Sequence, residues 1–362
     1  MTNHLSIDEI NKALLDRESE YPFRKKYWQR FLDTTQSFAN ECIEKSIDFK
    51  IDFDRIEKSS SVTNNQVFIC GSMKSGTSLI QSLLDNHRDM LVLPGDTHMI
   101  NKHLNSENEI EFFIDMWVRK LVSPRGRTPF WYLGMEKDPY VEFSSYFRKI
   151  ASENIHSGDL SIFNSIVHAI SCVQNRDTKI FVEKTPENEF RIKDILKSYP
   201  NAKFIHIIRS PIDNLCSMKS LTNKMFDENF NVNHVANSIK NSFIMSHNNS
   251  KLLGFNRYHV IKYENLISDL ENTMISVSKF LDIDYNEILT TPSEGGKPSV
   301  SNSMFEDRKS SGKVLDSETK EKRIERIKST LTREELEAAI WHLADLYSHF
   351  GYSPMEIRDL LQ

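Results

Sequence analysis

Two glycines five positions apart lie in a short run of small and basic residues. The run is Gly71-Ser72-Met73-Lys74-Ser75-Gly76-Thr77-Ser78, and the apolar stretch Val67-Phe68-Ile69-Cys70 precedes it. A loop between a buried strand and a helix directs backbone N–H groups and the positive end of the helix dipole at one point. The glycines let the backbone approach an anion closely. The pattern predicts a phosphate or sulfate site; a strand-to-helix turn that merely needs glycine is the alternative.

The lysine of this loop lies inside it. In the P-loop of nucleotide triphosphatases a lysine follows the second glycine, but Thr77 occupies that position here. Lys74 instead precedes the second glycine, where its ammonium can stabilise charge that develops on a bridging oxygen as a bond breaks. The order of residues therefore points away from a nucleoside triphosphate.

A second basic residue follows another apolar run. The run at 204–208 ends at Arg209, and a serine and a proline then have the pattern of a helix start. Ligands of open α/β sheets bind at the carboxyl ends of strands, where a guanidinium can grip a phosphate bidentately. Ser217 lies one turn after Asp213, close enough to the helix start for its hydroxyl to assist. A structural ion pair between Arg209 and Asp213 is the alternative.

Candidate proton acceptors and a further cation follow other apolar segments. Asp96 and His98 come after a short apolar run and a Pro-Gly dipeptide, so they are either catalytic groups beside the loop or part of a surface turn. Lys184 ends a strand that begins at Lys179, and it either reaches the same sheet edge or is a solvated surface lysine.

The elements that position these residues alternate between strands and helices. The predicted strands are Val67–Cys70, Lys179–Val182, Lys203–Ile208 and Tyr258–Lys262. An amphipathic helix with Leu79, Ile80, Leu83 and Leu84 follows the glycine loop, and helical patterns fill 106–175. The alternation predicts an α/β fold with a parallel sheet flanked by helices.

Helical patterns also occupy both ends of the chain. We predict an N-terminal helical extension over 1–58 and one domain over 59–362. Capping boxes, in which a serine or threonine precedes a glutamate by three residues, are predicted at Ser6, Ser106, Ser268 and Thr332.

Composition restricts the partners of the protein. The 362 residues carry a formal charge of −5 with both signs mixed, which gives no support for a nucleic-acid partner. No export signal is visible, and the longest apolar runs are strand-sized, so no transmembrane segment is expected. The four cysteines lack metal-type spacing; they are Cys42, Cys70, Cys172 and Cys216. Buried free thiols in a soluble, cytoplasmic protein are therefore expected.

The glycine loop and the arginine segment together resemble the donor-binding motifs of sulfotransferases. The matching runs are 67–80, Leu84-Asp85-Asn86-His87-Arg88-Asp89, and 200–209 with Ser217. The resemblance extends to about 352 and is greatest to the branch of bacterial enzymes and tyrosylprotein sulfotransferases. It implies a P-loop-type parallel sheet, 3′-phosphoadenosine 5′-phosphosulfate (PAPS) as co-substrate and no required metal. It also implies sulfuryl transfer to a hydroxyl or amine of a small molecule, glycan, lipid or peptide.

The resemblance further implies a role for each site residue. The loop residues implied as donor ligands are Ser72, Lys74, Ser75, Gly76, Thr77 and Ser78. Arg209 and Ser217 match the motif for the 3′-phosphate of the donor. Asp96 aligns, with one residue inserted, with the glutamate that acts as base, and His98 is the competing base.

Three more elements are similar to family motifs. Lys184 belongs to a Lys-x-Pro element that implies a second cation at the sulfuryl group. Tyr263 begins a Tyr-Glu-x-Leu signature and is expected near the nucleotide. The polar loop at 295–312, with Ser301, either closes over the donor or is a linker.

Two other functions fit parts of this sequence pattern. A P-loop small-molecule kinase that uses ATP is disfavoured by Thr77 and by the lack of a clear acidic metal ligand on a second strand. A non-enzymatic binding protein with a decayed site is disfavoured by the intact Lys74, Arg209 and Ser217. We expect the acceptor to be selected by the helical middle of the chain and by the loops at 123–139 and 219–233. Trp131 either stacks on an acceptor ring there or is a core residue.

Overall fold

Five strands form one sheet in this computed structural model, which describes residues 25–98, 102–122, 131–157, 161–225, 230–298, 319–353 and 355–361. The strands are β1 (Asn65–Cys70), β2 (Met90–Val92), β3 (Ile180–Lys184), β4 (Lys203–Ile208) and β5 (Tyr258–Lys262). Their order is β2-β3-β1-β4-β5. The pairings of β2 with β3, of β1 with β4 and of β4 with β5 are parallel. The predicted α/β class is confirmed.

Helices connect and flank the strands. They are α1 (Lys25–Ser46), α2 (Phe53–Ser59), α3 (Thr77–Leu84), α4 (Ile110–Val122), α5 (Asp138–Ser157), α6 (Ile162–Gln174), α7 (Ile192–Ser198), α8 (Pro211–Met225), α9 (Val232–Leu253), α10 (Tyr263–Ser268), α11 (Leu270–Leu281), α12 (Lys320–Thr330), α13 (Arg333–His349) and α14 (Met355–Leu361). Short 3₁₀ helices span Ser60–Thr63, Glu107–Glu109, Asn188–Phe190 and Glu287–Thr290, and a two-stranded ribbon pairs β6 (Ser293–Glu294) with β7 (Lys297–Pro298).

The chain divides into two compact units. The first contains the described residues of 1–66, 85–183 and 294–297. In it α1 packs against α4 and α5, and α5 packs against α6. Phe38 of α1 meets Trp131 and Tyr140 edge-on, with ring centroids 5.5 and 5.3 Å apart. Trp131 is buried in this cluster, so the interpretation of this residue as a core side chain is the correct one.

The second unit contains the described residues of 67–84, 184–293 and 298–362. Its centre is β4, whose Phe204 pairs with Phe68 of β1 and with Tyr258 of β5. Helices α8, α9 and α13 pack against one another on a cluster that includes Leu215 and Phe243. The unit therefore carries the glycine loop, both strands beside β4 and the helix that follows Arg209.

Helix ends agree only in part with the predicted capping boxes. Thr332 and Glu335 form the predicted box at α13. The box at Ser106 is wrong, because its partner Glu109 accepts from the backbone N–H of Asn105 instead. The box at Ser268 is also wrong: this serine ends α10, and its hydroxyl donates back along that helix. Ser6 lies outside the described residues.

Cysteine placement follows the expectation from spacing. All four cysteines are free and buried, and burial raises the pKa of Cys42, Cys172 and Cys216 to about 12. These thiols therefore behave as small core side chains. No helix in the described part of the chain is long and apolar enough to cross a membrane.

Candidate functional site

The glycine loop joins β1 to α3, and three of its residues have positive φ. Gly71 has φ 138°, Lys74 66° and Gly76 114°. A Cβ on Gly71 would lie 2.6 Å from the carbonyl oxygen of Ile207, and a Cβ on Gly76 would lie 2.5 Å from Cδ2 of Tyr263. Both positions therefore require glycine for their conformation and for the space around them.

Hydroxyl groups of the loop are drawn inward. Ser72, Ser75 and Thr77 are buried, whereas Lys74 and Ser78 are half-buried. The Ser72 hydroxyl accepts a 2.6 Å hydrogen bond from Nδ2 of Asn214 in α8. Ser75 Oγ has no hydrogen-bond partner among the described residues. A buried hydroxyl without a partner is costly, so this group fits a bound anion as its missing partner.

Arg209 directly follows β4 and contacts the loop. Its Nη1 donates to the carbonyl oxygen of Lys74 at 3.2 Å. Its guanidinium also lies over the ring of Tyr263, the first residue of α10, 4.4 Å from the ring centroid. The structure thus brings the loop, the arginine and this tyrosine together, three elements that the family resemblance implied around the donor.

Asp213, the predicted alternative partner of Arg209, pairs with two other arginines. Asp213 in the first turn of α8 accepts from Nε of Arg323 at 2.8 Å and from Nη2 of Arg326 at 2.6 Å. Burial by itself would raise the pKa of Asp213, but hydrogen bonds and charge from the two arginines lower it to about 2. The interpretation of Arg209 and Asp213 as an ion pair is therefore wrong.

The start of α8 is fixed by a half-buried acid of α10. Glu264 accepts from the backbone N–H of Ser210 at 2.8 Å and from the Tyr352 hydroxyl at 3.1 Å. Burial raises the pKa of this carboxyl. The two residues of the motif therefore make different contacts. Tyr263 contacts the loop and Arg209, and Glu264 holds the start of the helix after Arg209. Ser217 lies half-buried one turn after Asp213 on that helix.

Lys184 is the last residue of β3 and belongs to the second unit. Only 4% of this residue is exposed, so the interpretation of a solvated surface lysine is wrong. Lysine is rarely buried to this extent without an interacting partner or a function.

Asp96 and His98 lie in the first unit, in a segment after β2. The carbonyl oxygen of Asp96 accepts from Nζ of Lys120. Between them, the buried hydroxyl of Thr97 donates to Oε1 of Glu183 at 2.6 Å, which anchors the segment to β3. His98 is exposed and has a positive φ of 55°. The catalytic roles of Asp96 and His98 stay predictions, and Ser301 lies outside the described residues.

Asn214 is a site residue that the sequence analysis missed. It is fully buried, its Nδ2 contacts Ser72, and its Oδ1 has no partner among the described residues. A single asparagine in the first turn of a helix has no spacing that points to a loop 142 residues earlier in the chain. The only local signal is its position directly after Asp213, in the helix whose predicted cap is Ser210.

The chain is similar to known proteins of one family. Residues 66–287, more than half of the chain, match the model of the sulfotransferase family. Over 205 residues the chain is 25% identical to omega-hydroxy-beta-dihydromenaquinone-9 sulfotransferase Stf3 of Mycobacterium bovis, and equally to that of Mycobacterium tuberculosis; the alignment covers 50% of each chain. The chain thus spans about half the length of the curated relatives it matches.

Two solved structures are also similar. Sulfotransferase STF9 from Mycobacterium avium aligns over 98% of this chain and 93% of its own, with 14% identity and a TM-score of 0.43. The sulfotransferase domain of the Synechococcus PCC 7002 olefin synthase covers 68% of this chain and 78% of its own, with 18% identity and a TM-score of 0.44.

Proposed function

This chain belongs to the sulfotransferase family, and we propose that it transfers a sulfuryl group from PAPS to a hydroxyl or amine of an acceptor. The observation that carries the proposal is the contact between Arg209 and the loop at Lys74. It supports a single site with two anion-binding elements, as a donor with a 5′-phosphosulfate and a 3′-phosphate requires.

The residues of the second unit fit PAPS. The backbone of the loop and its hydroxyls would hold the 5′-phosphosulfate; these residues are Ser72, Lys74, Ser75, Gly76, Thr77 and Ser78. Arg209 and Ser217 would hold the 3′-phosphate, and Tyr263 would lie near the nucleotide. The Ser75 hydroxyl, which has no hydrogen-bond partner among the described residues, and the two close approaches at the glycines support this fit.

Bound PAPS supplies an activated sulfuryl group, which the attack of the acceptor separates from the bridging oxygen of the 5′-phosphate. Lys74 and Lys184 stabilise the electron pair that this oxygen keeps and the charge on the sulfuryl oxygens. Asp96 takes the proton from the acceptor hydroxyl or amine, with His98 as the competing base. The products are the sulfated acceptor and adenosine 3′,5′-bisphosphate.

The acceptor classes are those with a nucleophilic hydroxyl or amine. The printed name of the mycobacterial relatives refers to a hydroxylated menaquinone, so a lipid hydroxyl is included with small molecules, glycans and peptides. We further propose 59–362 as the catalytic domain, 1–58 as a helical extension and the cytoplasm as the location. Four buried free thiols are compatible with a reducing compartment.

Calorimetry with adenosine 3′,5′-bisphosphate in the absence of Mg²⁺ tests the donor. We expect binding without the metal, and transfer of label from [³⁵S]PAPS to a member of an acceptor panel. The Lys74→Ala variant is the negative control for transfer. Binding of Mg²⁺·ATP in place of the bisphosphate would favour a kinase, and absence of binding to either nucleotide would favour a decayed site.

A further inference from the structure

A buried glutamate contacts Gly71, the first residue of the donor loop. Oε2 of Glu189 accepts from the backbone N–H of Gly71 at 3.0 Å, and Glu189 is fully buried. Two neighbours strengthen the attachment: the N–H of Glu187 donates to the Gly71 carbonyl oxygen, and Nδ2 of Asn188 donates to that of Ile69 at 3.1 Å. The turn after Lys184 is thereby attached to the start of the loop.

Glu189 also belongs to a ring of hydrogen bonds between buried side chains. The Ser242 hydroxyl of α9 donates to Glu189 Oε1 and lies 3.3 Å from Nε2 of His206. Nδ1 of His206 lies 2.6 Å from the hydroxyl of Tyr258. Asn249 donates to the Tyr258 hydroxyl at 3.4 Å and to the Glu189 carbonyl oxygen at 2.9 Å, which closes a ring.

Three hydrogen bonds in this ring have one direction: Tyr258 donates to His206, His206 donates to Ser242, and Ser242 donates to Glu189. Burial lowers the pKa of His206 to about 3, so the imidazole is neutral and has one donor and one acceptor nitrogen. Because the Ser242 hydrogen is used for Glu189, Nε2 of His206 donates to Ser242 and Nδ1 accepts from Tyr258. The bonds from Tyr258 through His206 and Ser242 therefore run towards Oε1 of Glu189. Gly71 N–H can only donate, so Oε2 acts as an acceptor, and burial raises the pKa of this carboxyl.

We propose that Glu189 is a positioning residue for donor binding. Through Gly71 its carboxyl group fixes the loop that carries Lys74, and through Ser242 and His206 it ties that loop to β4, which leads directly to Arg209. The proposal rests on the proposed function for the identity of the ligand, but the attachment of Gly71 is a property of the protein without donor. Buried side chains that hydrogen-bond to one another stiffen the structure around them, and rigidity at this point keeps the two anion-binding elements at a constant separation.

Substitutions at Glu189 and on α9 test this role. Glu189→Leu removes both acceptors, and we expect the dissociation constant for adenosine 3′,5′-bisphosphate to rise about tenfold. Glu189→Gln keeps one oxygen for Gly71, and its amide can donate to Ser242, so affinity should stay within about twofold. Ser242→Ala should weaken binding about threefold. The matched control is Ser246→Ala, which removes a buried hydroxyl that bonds only within α9, to Phe243, and should bind as the wild type does.

Hydrogen exchange without donor provides a second readout. We expect the peptide covering 67–76 to exchange faster in Glu189→Leu and Ser242→Ala than in Glu189→Gln and Ser246→Ala. If Glu189→Leu does not fold, the two serine variants decide. Equal affinity and equal exchange in the serine pair would overturn the proposal. Failure of the wild type to bind the bisphosphate would instead contradict the proposed function, and the exchange comparison would still report on Gly71.

Discussion

The ring of Tyr263 contacts both Arg209 and Gly76. The guanidinium lies 4.4 Å from the ring centroid, and the Cα of Gly76 is so close that an added Cβ would be 2.5 Å from Cδ2. A cation–π contact contributes about 0.5–2 kcal/mol. The tyrosine therefore holds the arginine at the side of the loop where the second phosphate of the donor would lie.

Tyr263→Leu should weaken the binding of adenosine 3′,5′-bisphosphate about 2- to 30-fold, since the guanidinium loses the ring that orients it. Tyr263→Phe keeps the ring and should stay within about twofold. Calorimetry on both variants measures the difference. Wild-type affinity in a folded leucine variant would show that the ring does not orient Arg209.

Gly76→Ala should be more damaging than Gly134→Ala, although the two glycines have similar φ values of 114° and 106°. A Cβ at 134 has no neighbour within 4 Å, so Gly134→Ala costs only backbone strain, about 1–3 kcal/mol. Gly76→Ala adds the clash with Tyr263. We expect a lower Tm than for the control and loss of bisphosphate binding. Equal Tm and retained binding in both variants would contradict the close approach.

The strands and the donor loop were predictable because their signals are local. Glycine at 71 and 76, a lysine between them and an apolar run before them are adjacent in sequence, and the predicted bounds of β4 and β5 agree with the structure. The three-residue β2 is too short to have a period of its own. The sequence analysis therefore contained it only as an apolar run before Asp96.

Contacts between distant positions were not predictable. Asn214 reaches Ser72 across 142 positions, and Glu189 reaches Gly71 across 118. Such pairs depend on which strands become neighbours, and no periodicity encodes that order. The same limit explains Asp213: its position beside Arg209 suggested a local pair, whereas arginines 110 and 113 positions away occupy it.

Asp213 should make the stability of the protein depend on pH between about 4 and 2. Its pKa is about 2 in the folded protein, below the ordinary value of 3.8, so the stabilisation is present above pH 4 and is lost as the pH falls. The difference corresponds to about 2 kcal/mol. Urea unfolding of Asp213→Asn should therefore show a flatter decline in this range than the wild type. Asp194→Asn is the control: Lys197 also lowers the pKa of Asp194, but solvent screens this exposed pair, so the variant should differ from the wild type much less than Asp213→Asn does.

Lys184→Ala should lower kcat at least tenfold with little change in affinity for the bisphosphate product. The reason is that we place its charge at the sulfuryl group, which the bisphosphate no longer carries. Lys179→Ala is the matched control: this lysine precedes the same strand, and its side chain is 62% exposed. It should leave both constants unchanged. An equal loss of kcat in both variants would indicate damage to β3 rather than a catalytic charge.

Asp96→Asn and His98→Ala should separate the two candidate bases. The amide cannot accept the acceptor proton, so Asp96→Asn should reduce turnover by about 10²- to 10⁴-fold while bisphosphate binding is retained. It keeps the size of the side chain, and the neighbouring bond from Thr97 to Glu183 should hold the segment in place. His98→Ala should retain most activity because the His98 side chain is the more exposed of the two. The reverse pattern, with an active asparagine variant and an inactive alanine variant, would assign the proton transfer to His98.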